Sequence, residues 1–273
     1  TENIGAIIQA SGFTPYDANK LPELGYGKSK DVVDHLGLER LAVAAKGGAI
    51  KRPSDGKEVK SVVFVQCAGQ RDPSGKHLPY CSGSCCNTSI KQAMYFKDAN
   101  PDVDTVVIYT DLRTPGNGED FYRSAQNKGV IFTKGKATKV TGGDSCNVTF
   151  KDLILDEENT IPADLVVLAT GQVPNAGVDI DEWTATATAA DNGDEAAKAK
   201  KSELQKISVL NMNYRQGPDL PQLKYGFADS HFICFPYETR RTGIYAAGPM
   251  RRPMDMHQAT EDAVGATLKA IQA

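Results

Sequence analysis

No run of apolar residues in this 273-residue sequence is long enough to cross a membrane; the longest, such as Leu165-Val166-Val167-Leu168, are strand-sized. Thr1-Glu2-Asn3 lacks the basic opening of a secretory signal, so export is not expected. Charge of one sign is also missing. The 31 Lys and Arg face 34 Asp and Glu, and a net charge of −3 gives no electrostatic case for nucleic acid or an anionic membrane face. There is no G-x-S-x-G, no Walker loop and no paired-carboxylate signature. Of the four histidines, His35, His231 and His257 have no metal spacing. His77 sits in a cysteine-bearing loop, where it reads as an exposed loop residue, a fifth ligand or a proton relay.

Cysteine is scarce as well, but it is concentrated. Four of the six, Cys67, Cys81, Cys85 and Cys86, fall between one predicted strand and one predicted helix. Ser61-Val62-Val63-Phe64-Val65 is a β-rich apolar run and reads as a buried strand. Ser84 to Asp98 reads as a helix, with Ile90, Ala93, Met94 and Lys97 at helical spacing. At such a helix start, unpaired N–H groups and the dipole favour thiolate over thiol. Four converging thiolates can hold a [4Fe–4S] cluster, a tetrahedral zinc or two disulfides. The spacing, C-x13-C-x3-C-C, is not that of two zinc knuckles. Adjacent Cys85 and Cys86 point about 100° apart on a regular helix, which suits a large centre better than one ion. A redox disulfide between Cys81 and Cys85 stays open. Cysteines gathered in one site with no signal peptide argue for a reducing, cytoplasmic setting. Cys146 and Cys234, with apolar neighbours, are expected to be buried structural thiols.

These residues carry a resemblance. Gln66-Cys67-Ala68-Gly69-Gln70-Arg71-Asp72, Leu78-Pro79-Tyr80-Cys81-Ser82, Cys85-Cys86 and Ile90-Lys91-Gln92-Ala93 resemble the A-subunit family of heterodisulfide reductases. Arg52-Pro53-Ser54-Asp55-Gly56-Lys57, Asp111-Leu112-Arg113-Thr114-Pro115-Gly116, Tyr214-Arg215-Gln216-Gly217-Pro218-Asp219 and Phe235-Pro236-Tyr237-Glu238-Thr239 are more closely similar to the B-subunit family of quinone-interacting membrane-bound oxidoreductase complexes, which contains such a module. The resemblance implies a [4Fe–4S] cluster on Cys67, Cys81, Cys85 and Cys86, and FAD in the full-length protein. It also implies partners: the other subunits of a membrane-associated oxidoreductase complex, and adenylylsulfate reductase. The activity implied is electron transfer between FAD and the cluster, linking membrane quinone to adenylylsulfate reductase.

Taken in order, Ile4 to Gly12 reads as a strand ending in Ser11-Gly12, echoed by Leu165 to Gly171 ending in Thr170-Gly171. The pair is similar to the crossover strands at which such flavoproteins leave and re-enter the FAD domain. Small residues there allow close backbone approach to a ligand or a neighbouring strand. A helix is expected at Leu36–Ala45, with no role beyond packing. Residues 61–163 alternate strand and helix, with strands at Thr105–Tyr109, Gly129–Phe132 and near Val148–Phe150 and a helix at Glu119–Lys128, which predicts a parallel Rossmann-like sheet. The G-x-G-x-x-G of a nicotinamide site is absent after its first strand, where Ala68-Gly69-Gln70-Arg71-Asp72 stands instead. From Pro174 to Lys206, Ala, Lys and Glu dominate, which suits a solvated helical insertion or a partly disordered loop. Trp183 is expected as a packing anchor. Phe232–Phe235 and Gly243–Gly248 read as strands and Met256–Ile271 as a helix packing through Ala259, Ala263, Ala266 and Ala270. Gly248 resembles a late FAD-contact glycine, although Pro249-Met250 stands where the family has a polar contact; Arg251-Arg252 lie near a phosphate or in solvent.

The fold expected is therefore α/β, a thioredoxin-reductase-like two-lobe flavoprotein fold. A partial FAD-binding-type domain (1–60 and 164–273, with a helical insertion at about 178–207) would hold a Rossmann-like insert (61–163). Ser11, Gly12, Thr170, Gly171 and Gly248 are the cofactor-binding candidates. The early glycine motif that grips the ADP half of FAD is missing, so the chain is expected to be a fragment that holds FAD poorly by itself. A zinc-binding structural or interaction module without redox activity is the alternative, and a thiol–disulfide oxidoreductase a third.

Overall fold

Val62, Val63, Phe64 and Val65 are all buried, and β-branched and aromatic residues in an unbroken run make a strand covered on both faces. They lie in β4 of a computed structural model that describes residues 3–143, 145–207, 209, 221–230 and 233–273. The strands in chain order are β1 (Ile7–Gln9), β2 (Phe13–Pro15), β3 (Val32–Asp34), β4 (Ser61–Ala68), β5 (Asp104–Tyr109), β6 (Ile131–Thr141), β7 (Cys146–Asp152), β8 (Glu158–Ala163), β9 (Leu165–Thr170), β10 (Gln172–Pro174) and β11 (Ile244–Ala246). The helices are α1 (His35–Ala45), α2 (Cys85–Ala99), α3 (Gly118–Asn127), α4 (Ile180–Asp191), α5 (Glu195–Ile207) and α6 (Met256–Gln272).

The chain divides into two compact units, Pro15–Gly171 on one hand and Thr1–Thr14 with Gln172–Ala273 on the other. The first is built on a seven-stranded sheet of order β3-β9-β4-β5-β6-β7-β8. Its β3, β9, β4, β5 and β6 run parallel, and β6, β7 and β8 continue as an antiparallel meander. Leu38, Phe64, Ile90, Phe96, Val107, Leu165 and Val167 form the core where helices cover one face of the sheet. Residues 15–60 and 164–171, expected with the FAD-type lobe, thus pack with the insert. The reason is β9, whose Val166 and Leu168 pair with Val32 and Asp34 on one side and with Val63 and Val65 on the other.

In the other unit β1 pairs with β11 and β10 with β2. Ile7 packs there against Ala176, Ala228, Ile244, Ala246 and Met250. The Ala-rich stretch is an ordered helical hairpin, α4 and α5, closed over Val178, Trp183 and Leu204. Asp179 caps α4 through the N–H groups of Asp181 and Glu182, and Trp183 is the anchor expected. Helix α6 opens with a capping box between Asp255 and Gln258. Its alanine face needs correction: Ala266 is buried, but Ala263 is exposed and Asp262 is buried in the helix's packing face. The expected strand at Phe232–Phe235 is also corrected. Residues 233–235 form a turn with Ile233 70% and Phe235 63% exposed, and Cys234 is exposed rather than buried. Apolar residues alone do not make a strand when no neighbour offers a ladder. His231, Phe232 and the motifs at 211–215 and 214–219 lie outside the described residues.

Helix α1 is capped by the Asp34 carboxylate on the Gly37 N–H (2.7 Å), and its first residue reaches α2 through His35 Nε2 and Ser89 Oγ, 2.9 Å apart. Burial drives the His35 pKa down from 6.5 to about 4, so the folded protein holds this ring neutral. The unfolded chain takes up the proton first as pH falls. The stability due to neutral His35 is therefore complete above about 6.5 and is lost as pH drops from there toward 4. The residue keeps part of its surface in solvent, which moderates the cost to about 2 kcal/mol. Urea titrations between pH 7 and 4 should show this loss, and His35→Gln should shrink it. An unchanged slope in the variant would remove His35 as the cause.

Candidate metal centre

Strand β4 breaks its regular pairing at the first cysteine and meets β9 once more at Ala68. Its register with β9 shifts between Val65 and Ala68, and Cys67, Gly69 and Arg71 all adopt left-handed backbone conformations, with φ of 57°, 71° and 54°. For the two non-glycine residues this costs about 1–2 kcal/mol each, and such strain gathers at functional sites. The loop that follows folds back on itself. Arg71 N–H donates to the Tyr80 carbonyl, Asp72 N–H to Leu78 and Leu78 N–H to Gly69, each at 3.1 Å. This pairing returns the chain from Cys67 to Cys81. The Asp72 carboxylate braces the tip, accepting from the Ser74 N–H and hydroxyl and from the His77 N–H. Tyr16 lies against Gly69, where a Cβ would come within 2.5 Å of its ring, and its hydroxyl is 2.8 Å from His77 Nδ1. His77 is thus held by Tyr16 rather than loose in solvent.

Cys85 and Cys86 are the first two residues of α2 and diverge as the helix period requires. The Cys85 thiol donates toward the Thr170 carbonyl at the end of β9 (3.4 Å), and the Cys86 thiol toward the Asp111 carbonyl beyond β5 (3.9 Å). N–H donors face the sulfurs in turn. Gln70 Nε2 donates to Cys85 Sγ (3.3 Å) and Gly83 N–H to Cys81 Sγ (3.4 Å). The Arg71 guanidinium, paired with Asp111 and donating to Thr110, stands beside Cys67.

Burial pushes the Cys67 and Cys86 thiols up and drives Cys85 up to about 12. In the protein alone burial outweighs the helix start, so Cys85 and Cys86, expected from the sequence as thiolates, stay protonated until a cation compensates them. The four cysteines lie within electrostatic reach of one another, since Cys67, Cys81 and Cys86 each add to the rise at Cys85. Yet among the described residues no three His, Cys, Asp or Glu side chains close on a point as the ligands of one ion would. Thiolate sulfur is the soft donor that iron–sulfur centres use, and N–H groups face two of the four sulfurs, those of Cys85 and Cys81. Two buried polar groups beside them have no partner, the Gln66 side-chain amide and the Thr170 hydroxyl, as a site shaped around a further group would leave them. A cavity of about 520 Å³ adjoins the site, lined in part by Cys67, Arg71, His77, Thr110 and Lys136.

The other candidates are placed as follows. Ser11 donates to the Asn175 carbonyl (2.7 Å), Gly12 has a φ of 71° with open space at its Cβ position, and both lie in the unit of β1. Gly248 is in that unit too, with its N–H given to the buried Asp262 carboxylate at 2.8 Å. Asp262 also pairs with Arg251, which stacks over the Tyr237 ring at 4.7 Å, so Arg251 is held by protein groups rather than simply solvated. Arg252 is exposed. Thr170 and Gly171 end β9 in the other unit, where Gly171 leaves room for the Gln70 side chain. Cys146 is buried, as expected. Sequence reasoning assigned no role to Gln70 or Asp262; a glycine at 171 was the only trace of the first.

No protein-family profile matches the chain. Among curated proteins it is similar to the A subunit of the H2:CoB–CoM heterodisulfide, ferredoxin reductase of Methanothermobacter marburgensis, at 32% identity over 98% of this chain and 36% of that protein. It is 40% identical to the iron–sulfur A subunit of the CoB–CoM heterodisulfide reductase of Methanocaldococcus jannaschii, over 96% of this chain and 36% of that one. The chain therefore spans little more than a third of these relatives. Among solved structures, thioredoxin reductases from T. acidophilum and Lactococcus lactis each align with 98% of this chain and 65% and 67% of their own, at 15% identity and a TM-score of 0.50. The fold is thioredoxin-reductase-like.

Gly69→Ala tests how tightly the first cysteine turn is packed. Its Cβ would strike the Tyr16 ring, whereas at Gly75 in the same loop, also left-handed, a Cβ meets nothing within 4 Å. Gly69→Ala should cost about 2 kcal/mol more than Gly75→Ala in urea unfolding. Equal costs would mean that Tyr16 does not hold the turn.

Proposed function

We propose that this chain, homologous over nearly its whole length to part of the heterodisulfide reductase A subunits, is an electron-transfer module of a multi-subunit oxidoreductase. Its centre is a [4Fe–4S] cluster ligated by Cys67, Cys81, Cys85 and Cys86. FAD is the second carrier, contacted through segments that include Ser11, Gly12 and Gly248. The observation that carries the reading is the gathering of Cys67, Cys81, Cys85 and Cys86 at one strand-to-helix corner, met by N–H donors from Gln70 and Gly83.

A cluster bound there supplies one-electron chemistry at a potential set by charge, burial and hydrogen bonds to sulfur. The chain's own residues do the rest. The cysteines ligate as thiolates, and the Arg71 guanidinium offsets negative charge beside Cys67. Tyr16 and Leu21, both buried against Gly69, keep water from the turn. No helix among the described residues is long and apolar enough to cross a membrane. We place the module in a complex joining membrane quinone to adenylylsulfate reductase. The support for that assignment is the resemblance carried by Arg52–Lys57, Asp111–Gly116 and Phe235–Thr239.

Anaerobic reconstitution followed by metal and sulfide analysis tests the centre. The expected result is a brown protein with about four iron and four sulfide per chain, losing most of both when any one of Cys67, Cys81, Cys85 or Cys86 is changed to Ser. Cys146→Ser and Cys234→Ser should leave the content unchanged. A colourless protein with one zinc would sink the reading.

A further inference from the structure

One buried residue touches the segments of three of the cysteines. Gln70 is 6% exposed. Its backbone N–H donates to the Cys67 carbonyl at 3.1 Å. Its side-chain oxygen accepts from the N–H of Ser82, next to Cys81, at 3.0 Å. Its Nε2 divides two donors between the Cys85 sulfur at 3.3 Å and the Ala169 carbonyl at 3.2 Å. The amide is thereby anchored at both ends, since β9 supplies one partner and the cysteine loop the other. Room for it is made at Gly171, where a Cβ would stand 2.5–2.6 Å from the Gln70 side chain.

The chemistry is specific to an amide. A glutamate of the same length has no N–H to give to sulfur and would set a negative charge beside it, and an aliphatic side chain fills the space without donating. An N–H donor to a ligating sulfur favours the more negative, reduced form of a metal–sulfur centre, so its loss makes the centre harder to reduce. We infer that Gln70 is a positioning residue that holds Cys85 and raises the electron affinity of the cysteine centre. The inference rests on the cluster reading above and adds the residue that tunes it.

The experiment is a spectroelectrochemical titration, with iron and sulfide analysis, of the reconstituted chain as wild type, Gln70→Leu and Gly171→Ala. The second variant displaces the amide without altering it. Gln70→Leu should keep its iron and shift to a more negative midpoint. At the wild-type midpoint its reduced-to-oxidised ratio should fall to about one-fifth, the equivalent of one ordinary hydrogen bond. Full iron with an unmoved midpoint overturns the inference. If Gln70→Leu loses its iron, Gly171→Ala decides: a negative shift with iron retained supports the role, and an unmoved midpoint or lost iron reduces Gln70 to scaffolding. A wild-type protein that takes up no iron and sulfide counts against the cluster reading itself, a separate result.

Discussion

A strand covered on both faces must break its ladder somewhere, and β4 does so at Cys67, pairing with β9 again only at Ala68 before the chain leaves the sheet. Up to Val65 its residues pair with both β5 and β9. Beyond it the chain turns through alternate left-handed residues, and the lost ladder is replaced by the fold-back of the cysteine loop and by the Gln70 amide. The site is therefore not set on a finished sheet. It is the way the sheet ends. The placing of Tyr16 over Gly69 and of the Gln70 side chain against Gly171 both follow from that exit.

The second constraint is electrostatic. Gathering four thiols in a half-buried corner is tolerable while they stay protonated, and burial keeps three of them so. The same burial makes the corner demand positive charge once the sulfurs ionise. Arg71 supplies part of it, but its guanidinium is already paired with Asp111. A lone reactive thiolate would need a lowered pKa and open access, whereas burial raises Cys67, Cys85 and Cys86. In that respect the corner differs from a thiol–disulfide site.

The comparisons fit this division of labour. Thioredoxin reductases share the fold at 15% identity, and that likeness speaks to architecture alone. The heterodisulfide reductase subunits share 30–40% of their residues with nearly all of this chain, although the chain is only about a third of their length. A Rossmann-like sheet commonly binds a ligand beyond the carboxyl ends of its strands. Here those ends, β4, β5 and β9, contribute Cys67, Asp111 and Thr170, and the helix start that could receive a phosphate carries Cys85 and Cys86 instead.

The sequence by itself determined most of the elements. Composition located β4, β5 and β9 because each is a continuous buried apolar run, and helical spacing located α1, α2, α3 and α6. It also marked the four cysteines as one set, since their residue type and clustering carry the chemistry. Tertiary structure decided the rest. Whether Leu165–Thr170 belongs to one unit or the other depends on which strands lie beside it, and a lone strand has no preference. Phe232–Phe235 has a strand's residues, but its described part, Ile233 to Phe235, is an exposed turn. Above all, Gln70 acquires its place only when Ser82, Cys85, Ala169 and Gly171 surround it, because a hydrogen bond spanning 99 residues is a property of the folded chain and leaves no period in the sequence.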